Sequence, residues 1–294
     1  MATRFALIIE PTASDDTRSD FSATFTQVDA SAPALSVGEL STQRGDGIFE
    51  SIGVVDSHPQ EVAAHLERFV RSAEICDLPM PNVEQWRQAI DAAAALCGPG
   101  EWVVKTILSR GVEHGPAPTA WVTAADAADF SRPRREGIAV VTLDRGFDLN
   151  APARAPWLLL GAKTLSYAVN MASLREAHKR GADDAIFVSS DGFVLEAPTA
   201  SVILRFGDVF VTPEPTGGIL HGTTQLSAFA WLEGQGFATV YRDVRTSELA
   251  AAEAGWLVSS VRLAAPIRRI DEADVPLDHE LTDALNAYLL SPRE

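Results

Sequence analysis

The chain has 294 residues, 46% of them hydrophobic, with 24 basic residues against 40 acidic ones and a formal net charge of −16. That length allows two domains of ordinary size, and that apolar content supplies a sizeable core and argues against disorder. The acidic balance argues against nucleic acid as a partner, because a phosphate backbone needs a basic surface, and it leaves room for an anionic small molecule in a local basic pocket.

No apolar run is long enough to span a bilayer and no N-terminal signal pattern stands out, so no membrane partner is expected and the setting is expected to be cytoplasmic. Cys76 and Cys97 lie in apolar helical surroundings and read as reduced core thiols rather than a bridge. The six histidines are scattered and none has a second ligand at suitable spacing, so no metal site is expected.

Phe5 to Ile9 reads as a first strand, residues 11–20 as a polar loop, and Phe21 to Val28 as a second strand. Arg44-Gly-Asp-Gly leads into a third strand; two glycines around an aspartate read as a tight turn, with a phosphate cradle as the weaker alternative. Glu61 to Asp77 reads as a helix. Val62, Leu66, Phe69, Val70 and Ala73 form its apolar face, and His65, Arg68 and Ser72 lie on a neighbouring stripe at spacings of three and four. Taken alone, Arg68 reads as a solvated helix arginine; on a stripe facing a cleft, its guanidinium could grip a phosphate.

Val83 to Leu96 reads as a second helix and Glu101 to Leu108 as a strand that ends in Ser109-Arg110-Gly111. A loop with Pro116 and Pro118 follows, then a strand from Ala120, charged irregular residues 125–137, and a strand from Ile138 to Leu143. Residues 1–145 thus group as a smaller α+β N-terminal domain, residues 146–157 as a turn-rich interdomain linker, and residues 158–294 as a larger second domain. Clefts between domains favour cofactors, and Lys163 lies just past the linker.

Tyr167 to Arg180 has the pattern of an amphipathic helix, with Tyr167, Met171, Leu174 and Ala177 on its apolar stripe and Gly181 past its end. Strands from Ala185 and from Phe193 to Glu196 flank an Asp191-Gly192 hairpin turn. With Ser201 to Phe206 and Val209 to Thr212 they read as an antiparallel meander beside one helix. A lysine therefore stands at the mouth of a helix and a glutamate closes a strand. An amine can form a Schiff base, a carboxylate can hold a proton on a ring nitrogen, and pyridoxal phosphate (PLP) enzymes need both.

Gly217 to Gln225 is a loop feeding a helix that runs to about Glu233, with Thr223 or Thr224 as its natural N-cap. Plain capping is the first reading there, and an anion site at the helix N-terminus the second. Thr246 opens another capped helix, Trp256 begins a strand that ends in Ser259-Ser260, and residues 279–290 form a closing helix.

Six segments in order, GDGIFES, HLERFVRSA, KTLSYAVNMASLREA, VLEAPTASV, GILHGTTQ and VSSVRLAAPI, resemble the class-IV aminotransferases, the fold-type IV PLP enzymes, over roughly residues 40–270. The resemblance implies a two-domain α+β fold of the D-amino acid aminotransferase kind, with PLP at the domain interface and a homodimer whose active sites lie near the subunit interface. It implies Lys163 as the Schiff-base lysine and acid/base, and Glu196 as the carboxylate on the pyridine nitrogen. It implies Arg68 as the phosphate-gripping arginine, Thr223 and Thr224 as the helix N-terminus beneath that phosphate, and Ser260 as a further hydroxyl ligand. Tyr167 is implied near the cofactor phenolic oxygen, four residues after the lysine where branched-chain enzymes have a step of five.

Among family members the chain most resembles the aminodeoxychorismate lyases. That implies PLP-dependent cleavage of 4-amino-4-deoxychorismate, an anionic small molecule, to 4-aminobenzoate and pyruvate in folate precursor synthesis. The alternative is a class-IV aminotransferase acting on branched-chain or D-amino acids, and the least favoured reading is a cofactor-free binding protein on the same fold. D-amino acid aminotransferases trap a substrate carboxylate with an arginine and a histidine in the loop after the strand 101–108. In this chain that loop has His114 but no arginine beyond Arg110, and Gly222-Thr223-Thr224-Gln225 departs from the branched-chain pattern.

Overall fold

Period-two alternation builds the first of two sheets in the computed structural model, which describes residues 3–293. The first of its two units holds the chain through Ala128, the segment Ala162–Tyr167, and the C-terminal residues from Pro292. Its elements are β1 (Thr3–Ile9), β2 (Phe25–Val28), α1 (Leu40–Gln43), β3 (Gly47–Val55), β4 (His58–Pro59), α2 (Val62–Ile75), α3 (Val83–Ala95), β5 (Glu101–Ser109) and β6 (Thr119–Asp126). The six strands run in the order β2-β1-β6-β5-β3-β4, and every pairing is antiparallel.

On β3, Ile48, Glu50, Ile52 and Val54 alternate toward the side on which α2 packs, and all four are buried. Leu66 and Phe69 of α2 and Trp86 and Ile90 of α3 are buried with them, and the Phe69 and Trp86 rings meet edge to face at 4.8 Å. Asn82 caps α3 by accepting the Gln85 N–H at 2.9 Å.

Ala162–Tyr167 lies along β3. The Phe49 N–H donates to the Lys163 carbonyl at 3.0 Å and the Leu165 N–H to the Gly47 carbonyl at 2.8 Å. The strand expected from Phe21 begins only at Phe25. Both the N–H and the hydroxyl of Thr24 bond the Phe21 carbonyl, which winds Ser22–Thr24 into a 3-10 turn and leaves the Phe21 ring fully buried.

The second unit holds Asp129–Gly161 and Ala168–Ser291. It contains α4 (Ser131–Glu136), β7 (Ile138–Asp144), α5 (Ala151–Arg154), α6 (Ala168–Lys179), β8 (Asp184–Val188), β9 (Ser201–Phe206), β10 (Val209–Thr212), α7 (Thr223–Gly234), β11 (Ala238–Tyr241), β12 (Ala254–Ser259), β13 (Leu263–Ile270), β14 (Ala273–Asp274) and α8 (His279–Leu290). The sheet runs β11-β10-β9-β12-β13-β7-β8, with β14 beside β13. Both faces are covered: Val202, Leu204, Leu257 and Ile267 belong to one core, and Ile203, Trp256, Phe229 and Leu285 to another.

Several sequence expectations change in this unit. Strand 138–144, grouped by sequence with the first domain, pairs in this second sheet, parallel to β8 and to β13, with Ile138 and Val140 in its core. Residues 129–161, which include the expected linker, cluster with this unit and carry α4 and α5. The expected meander is a mixed sheet. β8 lies at one edge, separated from β9 by three strands, because β7, β13 and β12 intervene. The return Phe193–Glu196 still folds back on β8, with Phe187 N–H on the Glu196 carbonyl and Leu195 N–H on the Phe187 carbonyl, both at 2.8 Å. The helix expected at Thr246 is a six-residue 3-10 turn, Thr246–Ala251. On α6 only Ala177 of the expected apolar stripe is buried, and Met171 is 46% exposed.

Candidate active site

The first group of polar side chains is built on α2 and β3. Glu50, at an inward position of β3, is 1% exposed, and the α2 stripe His65, Arg68, Ser72 is turned toward it, with Arg68 8% exposed. Arg68 is therefore a buried residue, contrary to the solvated arginine its sequence position alone had implied. Its Nε donates to Glu50 Oε1 at 2.8 Å and its Nη2 to Oε2 at 2.7 Å, a two-pronged pairing, and His65 Nδ1 lies 2.7 Å from the same Oε2.

Burial alone would raise the Glu50 pKa. The charge and hydrogen bonds of Arg68, with those of His65, outweigh it and hold the carboxyl well below the usual carboxylate range. Burial pushes the His65 pKa down, against the pull of Glu50, so the ring is neutral at physiological pH. An ionised carboxylate only accepts, so the proton of that neutral ring sits on Nδ1.

Lys163 is fixed at its backbone. Its N–H donates to Ser72 Oγ at 3.1 Å and its carbonyl accepts from Phe49. Its amine lies 4.5 Å from the centroid of the Phe49 ring and 6.0 Å from that of Tyr167, and the two rings meet edge to face at 5.4 Å. Gly47 makes this approach possible. A Cβ there would stand 2.7 Å from the Leu108 carbonyl oxygen and 2.8 Å from Leu165 Cδ1. Arg110 is engaged as a staple, with Nε on Asp46 at 2.7 Å, Nη1 on the Asp77 carbonyl at 3.0 Å and Nη2 on the Cys76 carbonyl at 2.8 Å.

The second group is built in the second unit on the first turn of α7. Gly222, not Thr223 or Thr224, is the N-cap, and it offers no side-chain cap. Both threonines are buried in the first turn, with hydroxyls 3.3 and 3.2 Å from Ser260 Oγ just beyond β12. A Cβ on Gly222 would collide with Ser201 Oγ. Backbone N–H groups at a helix N-terminus beside three hydroxyls form a donor set suited to an anion such as phosphate. Nearby in sequence, Glu196 Oε2 accepts the Leu220 N–H at 3.1 Å. Tyr241 Oη accepts from Gln225 Nε2 at 2.9 Å and lies 3.2 Å from His221 Nε2. Asn170, assigned no role by sequence, donates to the Pro198 carbonyl at 2.7 Å.

The seven residues singled out by sequence thus fall as three in the first unit, Arg68, Lys163 and Tyr167, and four in the second, Glu196, Thr223, Thr224 and Ser260. The structure brings Thr223, Thr224 and Ser260 into contact, and sets Tyr167 beside Lys163. Glu50 and His65 were not singled out. The available signal was a carboxylate at an inward position of an otherwise apolar alternation, and a histidine three residues before an arginine on one helix stripe.

The family model for amino-transferase class IV matches residues 47–270. The chain belongs to the class IV amino-transferase family. Among class IV relatives, the bifunctional aminodeoxychorismate lyase / D-amino acid transaminase of Mycobacterium tuberculosis is 41% identical over 280 residues, covering 89% of this chain and 95% of that protein. A fold IV transaminase from Curtobacterium pusillum is 47% identical and superposes with a TM-score of 0.93, covering 98% of this chain and 99% of the other. A hypothetical aminotransferase from M. tuberculosis, solved in a PLP-bound form, is 37% identical with a TM-score of 0.87, covering 98% of this chain and 100% of the other. The α+β architecture of this chain is the fold-type IV architecture of class IV aminotransferases.

Proposed function

We propose that this class IV enzyme is a 4-amino-4-deoxychorismate lyase, releasing 4-aminobenzoate and pyruvate. The observation that carries the reading is the 41% identity to a relative that is itself an aminodeoxychorismate lyase. The cofactor is pyridoxal 5'-phosphate. The residues present fit it: an amine against aromatic rings, a guanidinium with a fixed plane, and an uncapped helix start ringed by hydroxyls that tolerates no Cβ at Gly222. When bound, PLP supplies an electron sink for the charge left when a substrate C–H bond breaks.

In this reading Lys163 would hold the cofactor through its side-chain amine, and that amine, when free, would take the proton from the amine-bearing ring carbon of the substrate. Glu196 would hold the ring-nitrogen proton that keeps the sink electron-poor. Arg68, Thr223, Thr224 and Ser260 would be the phosphate ligands, and Tyr167 the residue near the phenolic oxygen. The bond between the ring carbon and the enolpyruvyl oxygen would then break, the ring becoming aromatic, and the enolate that leaves would take up a proton at its methylene carbon to give pyruvate.

A second reading, transamination of D-amino acids, is favoured by the same relative, whose name carries both activities; the fold IV transaminase favours transamination in general. It would begin with the same kind of proton removal by Lys163 and would differ in where Lys163 returns that proton. Against it stands Arg110, whose guanidinium is engaged by Asp46 and two carbonyls and leads a loop with no further arginine. A cytoplasmic homodimer is part of the proposal. Its support is the family resemblance, the buried free thiols of Cys76 and Cys97, and apolar side chains exposed at Trp157, Leu158, Val169 and Met171.

The test is incubation of the PLP-loaded protein with aminodeoxychorismate while 4-aminobenzoate and pyruvate are followed together. Equal release of both, absent in Lys163→Ala, is expected. No release from folded, PLP-loaded protein, with turnover of D-alanine and 2-oxoglutarate instead, would replace the lyase reading by the transaminase one.

A further inference from the structure

Glu50 has no part in the roles above, yet three hydrogen bonds converge on its carboxylate. Arg68 Nε and Nη2 take one oxygen each, and His65 Nδ1 shares the second. Two parallel bonds to one carboxylate fix the plane of a guanidinium, which a single bond does not. An arginine free to rotate loses side-chain entropy each time it closes on an anion, whereas one fixed in advance does not.

We propose that Glu50, braced by His65, is the positioning residue that sets Arg68 for the cofactor phosphate. The inference rests on the assignment of Arg68 to that phosphate. One turn beyond Arg68 on the same helix stripe, Ser72 Oγ accepts the Lys163 backbone N–H, so α2 holds both the guanidinium and the segment that carries the amine. The arrangement exchanges attraction for orientation. The Glu50 carboxylate beside Arg68 subtracts from the pull on a dianion, so a gain in affinity on removing its charge would mean that orientation is not what it supplies.

The experiment strips PLP from the full-length protein and titrates the apoprotein with PLP and with pyridoxal, which lacks the phosphate. The dissociation constant for pyridoxal divided by that for PLP reads the phosphate alone. Arg68→Met is expected to lower the ratio, and Glu50→Gln to lower it by about tenfold or more with pyridoxal affinity little changed. In the Arg68→Met background, Glu50→Gln is expected to add nothing, because it acts through the arginine. Glu50→Asp keeps the buried charge with a shorter reach; it serves where Glu50→Gln does not fold, and the same drop is expected.

A ratio unchanged or raised in Glu50→Gln, with Arg68→Met still lowering it, would overturn the positioning role and leave the Arg68 assignment standing. Equal weakening of PLP and pyridoxal by Glu50→Gln would make the pair a structural one only. An unchanged ratio in Arg68→Met would overturn the phosphate assignment itself, and this inference with it.

Discussion

Two buried groups, Glu50 and His65, hold protonation states that water would not give them at low pH. Both have pKa values pushed below their ordinary ones, the carboxyl by Arg68 and His65 overcoming its burial, the imidazole by burial itself. Folded protein therefore binds fewer protons than unfolded chain in acid, and stability falls as pH falls. The His65 share is present above about pH 6.5 and lost below it, and the Glu50 share begins to be lost below about pH 4.3 and continues into strong acid. The urea midpoint is expected to decline in these two stages, with the upper stage absent in His65→Leu; a wild-type midpoint flat down to pH 4 would contradict this. At neutral pH, Glu50→Gln leaves the Arg68 charge uncompensated, and such losses run to about 3–5 kcal/mol. Helix periodicity did reveal that His65, Arg68 and Ser72 share one stripe. It did not reveal what that stripe faces, because the partner Glu50 lies 18 residues before Arg68 and is reached only once β3 and α2 are packed.

At the scale of elements, the start of α7 is a close-packed junction. Gly222→Ala drives a Cβ into Ser201 Oγ and also meets Gln225 Cβ at 3.4 Å, so it is expected to destabilise by about 1–3 kcal/mol and to weaken PLP binding. Adding Ser201→Ala removes the colliding atom and is expected to restore much of the stability, read as the thermal midpoint. A double variant no more stable than Gly222→Ala would contradict the packing argument. Elements with a strong 3.6-residue or two-residue period, such as α2, α3, β3 and α8, were legible in the sequence. β13 was not: it is covered on both faces and its LAAPIRRI run, with Pro266 inside it, shows no alternation. β11 pairs in parallel with β10, and β7 with β8 and β13. No local turn signal announces such pairings, which is why a meander was expected in their place.

At the scale of the molecule, the family and its cofactor were legible because six short segments keep their order along the chain. The reaction outcome was not, since a lyase and a transaminase share the first proton removal and differ in the groups around the substrate. The second unit leaves large apolar side chains uncovered: Trp157 is 74% exposed, with Leu158, Val169 and Met171 exposed on the same unit. Sedimentation is expected to show a dimer, with Trp157→Glu shifting it toward monomer; a monomeric wild type at micromolar concentration would count against the homodimer.

Every proposed catalytic step depends on the assignment of Lys163, and the chain makes it easy to test, because its only lysines are Lys105, Lys163 and Lys179. Lys105 is exposed on β5 and Lys179 is exposed at the end of α6. Borohydride reduction of the PLP-loaded protein, followed by digestion and mass spectrometry, fixes the cofactor to whichever amine held it. The pyridoxyl group is expected on Lys163 alone, in one equivalent per chain. Its presence on Lys105 or Lys179 in place of Lys163 would contradict the proposed active site.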